Sequence, residues 1–133
     1  MAQVRNIKEW IAEMGKFERL VTEHGANTQK NVAIDAITWV VPLTPVDTGA
    51  ARGNWHVSLN NADGAYDLSK TDKDGAPTIN SGVSLIKAAP RFADLIIENN
   101  VPYIDKLEDG HSKQAPNGMV GLTFNAIIAK YQR

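Results

Sequence analysis

The sequence predicts an α+β domain, with a long N-terminal helix and a C-terminal helix packed on a small, mainly antiparallel sheet. Three observations predict it. Apolar residues recur at helical spacing over residues 6–41 and again over 119–131. Trp55, Val57 and Leu59 alternate with His56 and Ser58, and Leu95-Ile96-Ile97 forms a short apolar run; both have strand character. The order helix, strand, helix, strand, short helix, helix sets helices against a small sheet instead of repeating a βαβ unit.

In the first helix Ile7, Trp10, Ile11, Met14, Phe17 and Val21 share one face, and Asn6 with Glu9 has capping-box spacing. The face resumes at Val32, Ala33, Ala36, Ile37, Val40 and Val41. Gly25 and Asn27 interrupt it, so a kink or break is expected near 25–27. Pro42 and Pro45 end the helix, because proline lacks a donor and disfavours helix in the residue before it. Residues 42–53 form a turn-rich connector. After the strand at 55–59, residues 60–76 are polar and Gly-rich and read as a mobile loop or extended arm. A helix is expected over 78–88, with Ile79, Val83 and Ile86 on one side and Pro90 beyond it. A strand follows within 92–98, then one or two helical turns over 102–108 with Pro102 at the start and Gly110 as the stop. The last helix carries Val120, Phe124, Ile127, Ile128 and Tyr131 on one face. Two strands are few for an independent sheet. A further strand near 64–70, or pairing completed by a neighbouring subunit, is therefore expected.

At 133 residues the chain has the size of one domain, residues 1–133, with an N-terminal helical part (1–43) and a sheet-and-helix part (44–133). It has no cysteine, which removes disulfides and thiolate metal sites. A net charge of -1 gives no electrostatic basis for tight non-specific DNA binding. The charge is also even, with six basic and six acidic side chains in residues 1–60 and eight and nine in residues 61–133. The N-terminus has no apolar signal-peptide core, and no stretch approaches the roughly 18 apolar residues that span a bilayer.

Two segments carry chemistry-bearing residues. Asp47-Thr48-Gly49-Ala50 matches the triplet that holds the catalytic carboxylate of aspartic proteases, in which two such loops of a homodimer share a proton. There the triplet follows an apolar strand; here it follows a helix and Pro42-Leu43-Thr44-Pro45. The competing reading is turn chemistry, with Asp47 bonding nearby N–H groups and Gly49 taking φ > 0. Glu108, His111 and Ser112 lie close in sequence, but a histidine directly beside a serine seldom places Nε2 on that serine's Oγ. A turn capped by Gly110, with His111 near a helix C-terminus, accounts for them as well. His24, His56 and His111 are scattered, and Asp72-Lys73-Asp74-Gly75 lacks the spacing of a calcium loop, so no metal or cofactor is expected. Arg52 and Trp55 flank a turn; without a wider basic patch Arg52 is expected on backbone carbonyls or an acid, and Trp55 in the core.

Taken together, Thr44-Pro45-Val46-Asp47-Thr48-Gly49-Ala50-Ala51-Arg52-Gly53-Asn54-Trp55 and the downstream Asn99-Asn100-Val101-Pro102-Tyr103, Leu107-Glu108, Gly110-His111-Ser112, Gln114-Ala115-Pro116 and Gly118-Met119-Val120 form a pair in fixed order. The pair resembles the neck or tail-component (tail-completion) proteins of lambdoid-type tailed bacteriophages, over about residues 25–130 and only loosely over 60–90. Asp109 departs from that pattern.

The resemblance implies a structural virion protein at the head–tail junction, not an enzyme. It implies a homo-oligomeric ring of six or twelve subunits that is assembled in the host cytoplasm and joins tail to capsid. Its partners would be other neck and tail proteins, with genomic DNA passing through the lumen without sequence-specific binding, and no membrane. A tail terminator or collar protein is the nearest alternative, and a homodimeric aspartic protease built on Asp47-Thr48-Gly49 is the alternative from another class. Asp47, Arg52, Trp55, Tyr103, Glu108, His111, Ser112 and Gln114 are the expected interface residues.

Overall fold

The computed structural model describes residues 25–131, so the helix expected over residues 6–24 lies outside the described residues. Gly25, with φ of 84°, precedes helix α1 (Ala26–Leu43), where a break was expected. The predicted face of α1 is the buried one: Val32, Ala33, Ala36, Ile37, Val40 and Val41 are all in the core. The helix runs past the expected end at 41, with Pro42 inside its last turn. A proline there removes only one i→i−4 donor. Thr44 satisfies two of the last carbonyls, its N–H bonding Val41 O (3.1 Å) and its hydroxyl donating to Val40 O (2.8 Å).

The connector contains one helical turn, α2 (Ala50–Gly53), which leads into strand β1 (His56–Leu59). Helix α3 (Ala76–Ala88) begins with Pro77 in its first turn. Strand β2 (Leu95–Glu98) pairs antiparallel with β1, placing His56 opposite Glu98 and Leu59 opposite Leu95. Among the described residues the sheet has these two strands, and the strand considered near 64–70 is not present. Helix α4 (Ile104–Glu108) and helix α5 (Val120–Tyr131) complete the order.

The molecule is thus α+β, with helices packed on a small antiparallel sheet. Helix α1 packs against α3, α5 and β2, and α3 lies on β1. The α1–α3 contact is close: a Cβ on Gly82 would stand 2.3 Å from Ile37 Cδ1. Ile37, Ile86, Met119 and Ile127 are fully buried. Truncating one of them to Ala is worth about 2–5 kcal/mol of stability. Among the described residues no helix is long and apolar enough to cross a membrane.

A cleft between the two motif segments

The fold brings the two motif segments together. Segment 44–54 leaves the C-terminal end of α1, and segment 99–120 leaves β2 beside it. Gln114 joins them: its Oε1 accepts from Val46 N–H and its Nε2 donates to Val46 O, both at 2.9 Å. Asn99, fully buried, adds a second link by donating to Ala51 O at 2.7 Å. Between them lies a cleft of about 550 Å³. Asp47, Thr48, Tyr103, Ser112 and Gln114 supply its polar lining, and Pro45, Val46, Leu68 and Leu107 much of its apolar lining.

Each wall is stiffened by side chains bonded to backbone. Arg52 clamps the end of α1: Nη2 donates to Pro42 O (3.0 Å) and Thr44 O (2.8 Å), Nε to Thr44 O (3.2 Å) and Nη1 to Lys73 O (2.7 Å). The Pro42 and Thr44 carbonyls are ones that a helix C-terminus leaves without partners, and a planar fork suits them; Lys73 O adds a tie to the loop after β1. Trp55 is 3% exposed and donates from Nε1 to Thr44 Oγ1 at 2.8 Å. It is therefore a core side chain, as the turn reading expected, and presents almost no surface to a neighbour. Thr48, not Asp47, closes the motif turn, its Oγ1 accepting from Ala50 N–H at 3.2 Å. Gly49 has the expected positive φ, 93°.

On the other wall, α4 ends in two bonds of Schellman type, His111 N–H to Lys106 O and Gly110 N–H to Leu107 O, both 3.1 Å. Gly110 has φ of 88°, and a Cβ there would lie 2.4 Å from Pro116 O, so only glycine fits where this loop doubles back. Glu108 is half-buried and caps a helix. Its carboxylate accepts from the N–H groups of Met119 (3.0 Å), Val120 (2.7 Å) and Gly121 (3.1 Å), at the N-terminus of α5. Negative charge there is favoured by the free N–H groups and the helix dipole. His111 is exposed, outside the cleft lining, and Ser112 Oγ accepts from Gln114 N–H at 3.2 Å. Of the eight residues expected at the interface, Asp47, Tyr103, Ser112 and Gln114 share the cleft; Arg52, Trp55 and Glu108 hold its walls. Burial and then the nearby Asp47 carboxylate raise the Tyr103 phenol above its ordinary value.

The segment 60–76, expected as a mobile loop or arm, has no regular secondary structure up to residue 75, Ala76 opening α3, and is tied down at several points. Asn54 donates to Asp67 O (2.9 Å) and accepts from Asp67 N–H (2.8 Å). Asp72 N–H bonds Gly49 O at 3.0 Å, and the Asp72 carboxylate accepts from Gly75 N–H and from the N–H and hydroxyl of Thr78. This places Leu68 on the cleft wall, and leaves Leu68 and Tyr66 about half exposed.

Sequence reading missed a buried carboxylate. Glu98, 1% exposed, accepts from Ser58 Oγ (2.7 Å), Asp63 N–H (3.2 Å), Gly64 N–H (3.1 Å) and Asn100 Nδ2 (2.7 Å). His56 stands beside it, with Nε2 2.9 Å from Asp63 Oδ1 and 3.9 Å from Glu98 Oε1. Ligand atoms of His56, Asp63 and Glu98 lie within 4.8 Å of one another, a grouping that histidine spacing in the sequence did not reveal. Each Glu98 oxygen already accepts two hydrogen bonds, so a cation seated there would have to displace some of them. The His56 ring also sets Nδ1 3.0 Å from Asn54 O, so both of its nitrogens face acceptors.

No family model, curated protein or solved structure matches this chain.

Proposed function

We propose that this chain is a structural virion protein of a tailed bacteriophage, acting in the neck or in tail completion, where it assembles as a ring around the DNA channel and joins tail to capsid. One observation carries the reading: the two motif segments on which the resemblance rests converge on a single cleft, and their conspicuous polar residues stiffen its walls. Arg52 and Glu108 bond backbone groups, and Gln114 bridges the two walls. A preformed, stiff concave surface suits repeated subunit contacts, because little conformational freedom is lost on binding. The near-neutral charge suits a channel through which DNA slides without adhering.

Light scattering on the purified chain, with negative-stain imaging of any large species, tests this. Rings of six or twelve subunits are expected. A stable dimer that cleaves peptides, and loses the activity in Asp47→Asn, would replace this reading with the aspartic protease.

A further inference from the structure

The cleft lies at one end of α1, and an exposed knob lies at the other. Pro90 to Ala93 forms a tight turn, closed by Ala93 N–H to Pro90 O at 3.2 Å. Phe92 occupies its third position with φ of 62°, a conformation that a bulky side chain seldom adopts. Phe92 is 60% exposed, the highest value for a large apolar residue among the described residues, and the Arg91 guanidinium stands 5.7 Å from its ring centroid. The base of the turn is held firmly to α1. Gln29 donates to Ala93 O at 2.7 Å, and Lys30 Nζ donates to Ala89 O (2.7 Å) and Lys87 O (3.1 Å). The knob is thus a rigid projection that presents an aromatic ring and a cation to solvent.

The two features occupy opposite poles. The knob is anchored at Gln29 and Lys30, and the cleft begins just past Leu43; the helical rise from Gln29 to Leu43 is about 21 Å. The sheet register agrees: Asn60 bonds Asp94 at the Leu59–Leu95 end, while Asn54 and Asn99 lead to the cleft from the His56–Glu98 end.

We propose that the Arg91–Phe92 knob of one copy seats in the Asp47–Tyr103 cleft of the next. The proposal rests on the ring reading above and names its subunit contact. Charge complementarity selects a second copy as the occupant. Arg91 brings a cation to the exposed Asp47 carboxylate, and Phe92 brings a ring to Tyr103, Leu68 and Leu107. Arginine and aromatic side chains are the types that most often anchor such contacts. Because knob and cleft are different patches at opposite poles, the contact is head-to-tail, the type that closes into a ring when its rotation permits.

The absence of native cysteine allows a clean test. Asp47→Cys and Arg91→Cys variants, one of them isotope-labelled, are mixed in equal amounts and oxidised with diamide, and the linked species are weighed by mass spectrometry. The proposal expects the mixed 47–91 dimer to exceed both like-with-like dimers several-fold. Phe92→Asn, which tolerates positive φ, should abolish that excess while leaving the thermal unfolding midpoint in place. Asp47→Arg and Arg91→Asp should each lower self-association measured by sedimentation, and together restore it. Dimers in the proportions of random collision, or no association at any concentration, overturn the proposal. Closed rings without a 47–91 link also overturn it and leave the ring reading standing. An excess of 47–91 dimers, with open polymers and no closed rings in negative-stain images, upholds the contact and removes the ring.

Discussion

Gln114 and Val46 are joined by a pair of 2.9 Å hydrogen bonds, the side-chain amide of one reading the backbone N–H and C=O of the other. The two residues are 68 positions apart, and this pair links the walls of the cleft at its exposed side, where the buried Asn99–Ala51 bond links them within the core. Gln114→Ala should therefore loosen the cleft with little effect on the core. The expected cost is about 1 kcal/mol, the low end for two bonds near solvent, read as a lower urea midpoint at unchanged slope. Gln114→Glu should cost more, because a carboxylate would face the Val46 carbonyl. An unmoved midpoint in both variants would show that the walls are held elsewhere.

Arg52 gives a sharper prediction, since its two possible roles diverge. A rim residue at a subunit contact would change assembly and leave the isolated chain unaffected. The four bonds to Pro42, Thr44 and Lys73 carbonyls instead predict a fold effect. Arg52→Lys keeps the charge but loses the fork, and should lower stability by about 2 kcal/mol in the monomeric chain. Thermal unfolding of dilute protein, below any association, measures it.

Glu108 acts on α5 from eleven positions away along the chain. Glu108→Ala leaves three N–H groups without their acceptor and should cost about 1–2 kcal/mol, as loss of a helix cap does. Glu108→Gln keeps one acceptor oxygen and should lose roughly half as much. Amide hydrogen exchange locates the effect: Met119, Val120 and Gly121 should lose protection first, and the α1 amides should stay protected. Equal loss across both helices would make Glu108 a general core support instead.

What sequence alone disclosed follows a physical division. The inner face of α1 was legible because its apolar spacing and its burial are the same fact, residue by residue from Val32 to Val41. Both strands were legible in position, but the alternation expected of β1 was not its burial: polar Ser58 is buried and Leu59 only half-buried. Gly110 was legible because a helix stop needs positive φ. The paired motifs hold all of the cleft lining except Leu68, and four of the eight expected interface residues, Asp47, Tyr103, Ser112 and Gln114, are in it. The polar supports were not. Glu98 follows an apolar triplet and looks like a solvated strand end, yet it receives bonds from Ser58, 40 residues away, and from the loop that begins after β1. Asn54 and Asn99 likewise bond backbone far along the chain. No periodicity records such partners. Pro42 misled in the other direction: the rule that proline ends a helix holds for the interior, and here Thr44 and Arg52 satisfy the carbonyls of the last turn.

The Asp63 carboxyl predicts how the fold responds to acid. It is held below its ordinary value of 3.8, first by the Ala65 N–H and then by His56, against a smaller opposing effect of burial. A carboxyl with a depressed folded-state value stabilises the fold above its unfolded value, and that contribution is lost as pH falls through the folded value. The stability from Asp63 should therefore be complete above 3.8 and fade below it. Asp67, through Ser69, and Asp72, through Thr78 and Gly75 against the cost of burial, are depressed in the same direction and fade in the same window. The difference between wild type and Asp63→Asn isolates the one group. Their urea midpoints should differ by a constant amount above about pH 5 and converge as the medium becomes more acid. A difference that grows on acidification would mean that the carboxylate is not what holds residues 63–65 against His56.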